Sequence, residues 1–222
     1  MHSFDRPILL GARDSLLSRA QVAELLTVLQ THHPLLAFST RWFKTTGDLD
    51  QITPLSSLEK TDFFTKEIDE AVLEGSCQIG VHSAKDLSEK LAEGLTVVAY
   101  TQSIDPTDVI VLKEGQNLED LPLKAKIGTS SLRREVNIKA LRSDFICGDI
   151  RGTIEKRLEL LDQGAFDAVI VAKAALLRLK LVRNIVELPG EPCPGQGSLA
   201  VVAKENDVAM EHLFTCLQQS FI

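Results

Sequence analysis

Short apolar runs alternate with helix-period patterns along almost the whole chain, and two breaker-rich passages cut that rhythm. "PILLG" (7–11) reads as a buried strand. "SLLSRAQVAELLTVLQ" follows as a helix, with Ser15 as N-cap and Leu17, Ala20, Leu25, Val28 and Leu29 on one face. Pro34 stops that helix. "LLAFSTRWF" (35–43) reads as a strand and "FFTKEIDEAVLEG" (63–75) as a helix closed by Gly75. "QIGVH" (78–82) and "LTVVAYT" (95–101) read as strands. Such alternation predicts an α/β fold, a mostly parallel sheet with helices on both faces.

The polar passage "QSIDPTD" (102–108) interrupts the pattern, which restarts with strand "DVIVL" (108–112). "AKIGTSSLRREVNIKALRS" is a short strand running into a helix, and "DFICGDI" (144–150) is a further strand. Helix "TIEKRLELLDQG" (153–164), ended by Gly164, and strand "DAVIVA" (167–172) complete the block. "PGEPCPGQGS" (189–198) is the second breaker passage, followed by "LAVVA" and the amphipathic "DVAMEHLFTCLQQ". Two such passages around a βαβ block predict a lobe of 102–195 inserted into a lobe made of 1–101 and 196–222. A ligand cleft between the lobes is expected, since strand carboxyl ends favour ligands.

Composition narrows the function. The 222 residues are 44% hydrophobic, enough for a sizeable core, and the net charge of −7 counts against a nucleic-acid or anionic-membrane partner. No apolar run is long enough to cross a bilayer, and the start lacks an export signal. Cys77, Cys147, Cys193 and Cys216 are scattered without a CxxC pair, which predicts reduced thiols, no metal site and a cytoplasmic protein. No phosphate-loop, dinucleotide or nucleophile-elbow motif occurs.

Three polar clusters stand at predicted strand ends: "GARDS", "HSAKD" and "GTSSLRR". Thr129, Ser130 and Ser131 offer hydroxyls and amides at a helix start, an anion cradle. Arg133 and Arg134 sit in the first turn, where the helix dipole disfavours cations, so a bound anion would explain them. The competing reading pairs them with nearby acids. Arg13, Arg151 and Arg157 complete five arginines at loop or helix-start positions, which as a set favour a small polyanion. Among these cations Asp86 reads either as an ionised catalytic carboxylate or as the N-cap of a helix over 87–92. His82 reads as a satisfied strand histidine.

Together "GARDSLLSRAQ", "TTGD", "KEIDEAVLEG", "VHSAKD", "IGTSSLRR", "DIRGTIEKRLELLDQGAFDAVIVAKAALLRL" and "PGQGSLAV" resemble the porphobilinogen deaminase (hydroxymethylbilane synthase) family, in family order across 7–203. The resemblance implies two periplasmic-binding-protein-like lobes and a small third domain. It also implies a transferase that condenses four porphobilinogen units head to tail, with release of ammonia, on a dipyrromethane primer. By position, Asp86 matches the catalytic aspartate, which assists loss of ammonia and stabilises the azafulvene-like cation. Arg13, Arg133, Arg134, Arg151 and Arg157 match the arginines that hold acetate and propionate carboxylates. Ser15, Ser83, Lys85, Thr129, Ser130 and Ser131 match accessory contacts, and Gln196 lies on the matching crossing.

Two departures from the family follow from the sequence. Where the family carries a glycine- and lysine-bearing mobile loop after "TPL", this sequence reads "SSLEKTDFF", with Lys60 alone keeping the basic character, and the third domain with its primer-bearing cysteine is expected to be absent. "LEGSCQIG" is locally like the attachment segment, but the following "VHSAKD" fixes Cys77 as the entry to a strand. Cys193, in the crossing, is the remaining substitute. The expected partners are porphobilinogen and pyrrole oligomers, bound by a monomer. A non-catalytic binder of the same ligands is the alternative, and a fragment of a longer enzyme is a third reading.

Overall fold

The structure, a computed structural model, describes residues 6–50 and 62–218. The first elements are β1 (Ile8–Arg13), α1 (Leu16–His32), β2 (Phe38–Phe43) and α2 (Thr46–Leu49). α3 (Lys66–Leu73), β3 (Ile79–Ser83) and β4 (Leu95–Tyr100) follow. Next come β5 (Asp108–Leu112), β6 (Lys126–Gly128), α4 (Leu132–Leu141), β7 (Ile146–Gly148) and α5 (Ile154–Asp162). The chain closes with β8 (Ala168–Ala172), α6 (Lys173–Arg178), β9 (Asn184–Leu188), β10 (Leu199–Lys204) and α7 (Val208–Gln218).

These elements form two compact units. Among the described residues the first comprises 6–49, 62–104 and 197–218, and the second Asp50 with 105–196. Each unit is built on one five-stranded sheet, ordered β2-β1-β3-β10-β4 in the first and β7-β6-β8-β5-β9 in the second. In each sheet four strands share a direction, while β10 or β5, next to the edge strand, runs against both neighbours. The order is thus the same in both units. The reversed strand is the last of the first sheet and the first of the second, the strands that receive the chain at its two crossings.

The wholly apolar runs have a direct cause: both faces of these strands are covered. In the second unit Ile110, Ala168 and Ile170 meet Ile138 of α4 and Phe145. Their neighbours Val109, Val111, Val169 and Val171 point to the other face, against Leu158 and Leu161 of α5, Phe166 and Leu176. In the first unit Leu10, Val81 and Val201 pack with Leu25 and Leu29 of α1 and Phe214 of α7. Ala71 and Val72 of α3 pack on the opposite face with Cys77, Leu95 and Val202.

Several local expectations change. Along α1 the buried residues are Ser18, Gln21, Val22, Leu25 and Leu29; Leu17 and Ala20 sit at the margin and Val28 is exposed. The stripe is rotated because Gln21 is drawn inward, its Nε2 donating to Ser83 Oγ at 2.8 Å. β1 runs on to Arg13, since Ala12 and Arg13 keep their register with Trp42 and Phe43. No helix forms over 87–92: a 3-10 turn spans Ala84–Asp86, and Leu87 and Leu91 pack onto the apolar cluster around Val72. Six residues are too few to hold a helix against that anchoring. α6 and β9 lie in 173–188, where the sequence carries no clean period.

Gly128 and Gly148 face each other across β6 and β7, and both lie under the Phe166 ring. A Cβ on Gly128 would stand 3.0 Å from Ile150 Cδ1 and Val169 Cγ1 and 3.2 Å from Phe166 Cγ. Overpacking of this kind costs about 1–3 kcal/mol. Gly128→Ala is therefore expected to lower the denaturant midpoint with an unchanged m-value, measured by urea unfolding.

Candidate functional site

In the first unit the site residues gather where β1 and β3 end. Arg13, the last residue of β1, pairs through Nη2 with Asp48 Oδ1, and its guanidinium stacks on the Phe64 ring with the centroid 4.4 Å away. Asp48 also accepts from the Thr45 amide (3.0 Å) and hydroxyl (2.9 Å). Burial alone would raise the Asp48 carboxyl, but the Arg13 hydrogen bond and charge, with Thr45, hold it below its ordinary value. Ser15 caps α1, its hydroxyl accepting from the Ser18 amide at 3.1 Å. Ser83 ends β3 and holds Gln21.

Lys85 and Asp86 follow on the 3-10 turn, whose first amide, that of Ala84, donates to the Ser198 carbonyl at 3.0 Å. Asp86 is half-buried. Its carboxylate accepts no hydrogen bond and joins no ion pair among the described residues. Behind it His82 and Asp69, both buried, stand 3.2 Å apart at Nε2 and Oδ1, so the histidine is a packed partner of α3.

In the second unit the hydroxyls read as an anion cradle are engaged by the chain itself. The Ser131 amide donates to Thr129 Oγ1 (3.2 Å), and Ser131 Oγ caps α4 by accepting from the Arg134 amide at 3.5 Å. Ser130 donates to the Ile150 carbonyl (2.7 Å) and accepts from the Ile150 amide (3.0 Å), stapling the turn after β6 to the end of β7. The amides of Leu132 and Arg133, in the first turn of α4, are the remaining donors at that helix start.

Arg133 and Arg134 converge on Asp108, the first residue of β5. Arg133 Nη2 reaches Oδ2 at 2.5 Å, and Arg134 Nε and Nη2 reach Oδ1 at 3.0 and 2.6 Å. Gln196, buried, adds Nε2 to Oδ1 at 2.9 Å and to the Pro106 carbonyl at 2.6 Å. Asp108 was not among the sequence candidates, although a lone charge opening the apolar run "DVIVL" is the signal that marks it. Arg151, just beyond β7, donates to the Asp50 carbonyl at 2.5 Å, and Arg157 turns back to the Gly152 carbonyl at 3.0 Å. Lys60 lies outside the described residues.

Cys77 is buried, and Cys147, Cys193 and Cys216 are all half-buried. Cys77 is packed between β1 and α3, and burial pushes its thiol up despite Arg41. Burial likewise raises Cys147 and Cys216. Cys193 is half-buried in the crossing. At Cys77, Cys147 and Cys216, burial disfavours the thiolate, the reactive form of a cysteine. Among the described residues no cluster of His, Cys, Asp and Glu is arranged to hold a metal ion.

Comparison with known proteins adds the family. The family described as "Porphobilinogen deaminase, dipyromethane cofactor binding domain" matches residues 8–212. A "Probable porphobilinogen deaminase" of Chlamydia muridarum is 45% identical over 95% of this chain and 87% of its own length. That of Chlamydia pneumoniae is 42% identical over 95% of this chain and 89% of its own. In fold, the chain is similar to the probable amino-acid ABC transporter extracellular-binding protein ytmK from Bacillus subtilis. There the TM-score is 0.55 at 13% identity, covering 96% of this chain and 91% of that one.

The Asp108 carboxyl gives a test in pH. Burial alone would raise it, but the Arg134 charge and hydrogen bonds from Arg134, Arg133 and Gln196 hold it below the ordinary carboxylate value. A depressed folded value stabilises the protein above the unfolded value of about 4, and that contribution is lost as pH falls through the folded value. Asp108→Asn, which lacks this term, is expected to be less stable than wild type at pH 7. The gap in melting temperature should then narrow steadily as the pH is lowered below about 4.

Proposed function

The chain belongs to the porphobilinogen deaminase family, and on that premise we propose that Asp86 works at the reacting centre while the arginines hold carboxylates. It is a hydroxymethylbilane synthase, a transferase that condenses porphobilinogen units head to tail and releases ammonia. The observation that carries the role of Asp86 is its vacancy. Asp48 and Asp108 are each bound by arginine, whereas Asp86 stands half-buried at the end of β3 with no protein partner among the described residues.

In the step proposed for it, the bond between the aminomethyl carbon and nitrogen breaks and ammonia departs. Positive charge then develops on that carbon and spreads to the pyrrole nitrogen. A fixed carboxylate beside that charge stabilises it without reorganisation. A carbon–carbon bond then forms to the free α-carbon of a second pyrrole, and the proton on that carbon is released to a base. Asp86 suits the exchange of protons with the amine and the pyrrole nitrogens.

Porphobilinogen carries two carboxylates, and arginine forks match carboxylates in geometry and charge. Arg13, Arg133, Arg134, Arg151 and Arg157 are proposed to hold them, with Ser83 and Lys85 as accessory contacts beside Asp86. The dipyrromethane cofactor of the family supplies the pyrrole to which units are added. Its carboxylates suit the same arginines, and Cys193, half-buried in the crossing, is the cysteine proposed to carry a thioether if one forms within this chain. Ser15, Thr129, Ser130 and Ser131 act by shaping the turns that carry these groups. A cytoplasmic monomer is part of the proposal. No helix among the described residues is long and apolar enough to cross a membrane.

A non-catalytic binder is not favoured, since an unpaired carboxylate only weakens the hold on a dicarboxylate. Asp86→Asn is expected to lower kcat for ammonia release by about 100-fold or more. Asp86→Ala should do the same while calorimetric affinity for porphobilinogen holds or rises. Turnover close to wild type in both variants would remove Asp86 from the chemistry.

A further inference from the structure

Two guanidiniums share one carboxylate at the start of β5. Arg133 and Arg134 both bind Asp108, whose other contact is the neutral Gln196 amide, so the cluster holds one positive charge in excess. Three nearby acids are engaged elsewhere, and Glu191 meets Arg133 through its backbone carbonyl. Asp105 and Glu187 both lie 3.1 Å from Lys173, and Glu135 lies 2.6 Å from Lys139. Exposure is lopsided. The Asp108 side chain is 2% exposed and that of Arg134 10%, but that of Arg133 is 30% exposed. A surplus charge beside the interior is costly until an anion meets it, and here the open side is at Arg133.

We propose that Asp108 is a positioning residue for the ligand-carboxylate site. It is an internal counter-anion that aims Arg133 and Arg134 and leaves them the one positive charge that a single ligand carboxylate neutralises. The proposal rests on the reading that these arginines meet ligand carboxylates. Without Asp108 two adjacent cations in the first turn of α4, where the helix dipole already opposes them, would splay apart. With it, both forks are fixed, and carbonyls hold their outer nitrogens: Glu191 for Arg133 Nη1 (2.8 Å) and Ile170 for Arg134 Nη1 (3.3 Å). Gln196, placed by the sequence among ligand contacts, binds Asp108 and ties it to Pro106.

The test is steady-state kinetics with porphobilinogen beside thermal unfolding. Asp108→Ala should raise KM about tenfold, the loss expected when a charged hydrogen bond is misdirected. Added formate, small enough to replace the missing carboxylate, should bring KM back towards wild type. Asp108→Asn keeps the shape without the charge and serves if the alanine variant does not fold. Its KM should also rise, and inorganic sulfate should inhibit it competitively at lower concentration than wild type, because two cations now lack an anion.

An unchanged KM in the folded variant, or a raised KM that formate leaves raised in Asp108→Ala, would overturn the proposal. Unaltered sulfate inhibition in Asp108→Asn would do so too. Arg133→Leu separates the two levels. If it leaves KM unchanged, the carboxylate reading itself fails; if it raises KM while the Asp108 variants do not, only the positioning role fails.

Discussion

A buried carboxylate at the start of an apolar strand is tolerable only with cations against it, and Asp108 has two. Much of the second unit's local geometry depends on that requirement. The start of α4 must bring Arg133 and Arg134 to β5, so the turn after β6 is fastened by Ser130 to Ile150 and capped by Ser131. Gln196, at the far crossing, closes on the same oxygen as Arg134. Asp105 and Lys173 add a second ion pair close by, with the Lys173 amide bonded to the Thr107 carbonyl. The stretch that opens the unit and the stretch that ends it are therefore held by one small polar group.

The first unit repeats the device on a smaller scale. Arg13 at the end of β1 is set by Asp48, and Phe64 covers the guanidinium. The contrast with Asp86 follows from position: it stands on a three-residue turn beyond β3, where no arginine among the described residues reaches it. Two aspartates thus orient cations, and the third has no protein partner among the described residues. Burial opposes ionisation at Asp48 and Asp108, and the arginines more than offset it, so both act as fixed anions near neutral pH.

Much of this was legible in the sequence, for reasons tied to particular residues. Ser15, Gly75 and Gly164 are terminus signals that depend on local backbone geometry, and each stands where its signal implies: a side-chain cap at Ser15, and positive φ at both glycines. The runs "DVIVL" and "DAVIVA" read correctly because a strand covered on both faces has only apolar positions to show. The misreadings are equally specific. Gln21 is buried because Ser83, 62 residues away, offers its hydroxyl. The segment 87–92 is not helical because Leu87 and Leu91 find an apolar cluster made by other elements. The reversed directions of β5 and β10 are invisible to a period that is the same for both.

For this protein the sequence by itself determined most of the element types and singled out Asp86 and the arginines at loop and helix-start positions. Those depend on local propensity, periodicity and short motifs. Only the tertiary structure decided which carboxylate each arginine holds. Asp108 lies 25 residues from Arg133 and 26 from Arg134 in sequence, and 88 from Gln196. Pairing over such separations is fixed by which strands neighbour each other in the sheet and by the cost of leaving a charge unpaired, neither of which is written in any one segment.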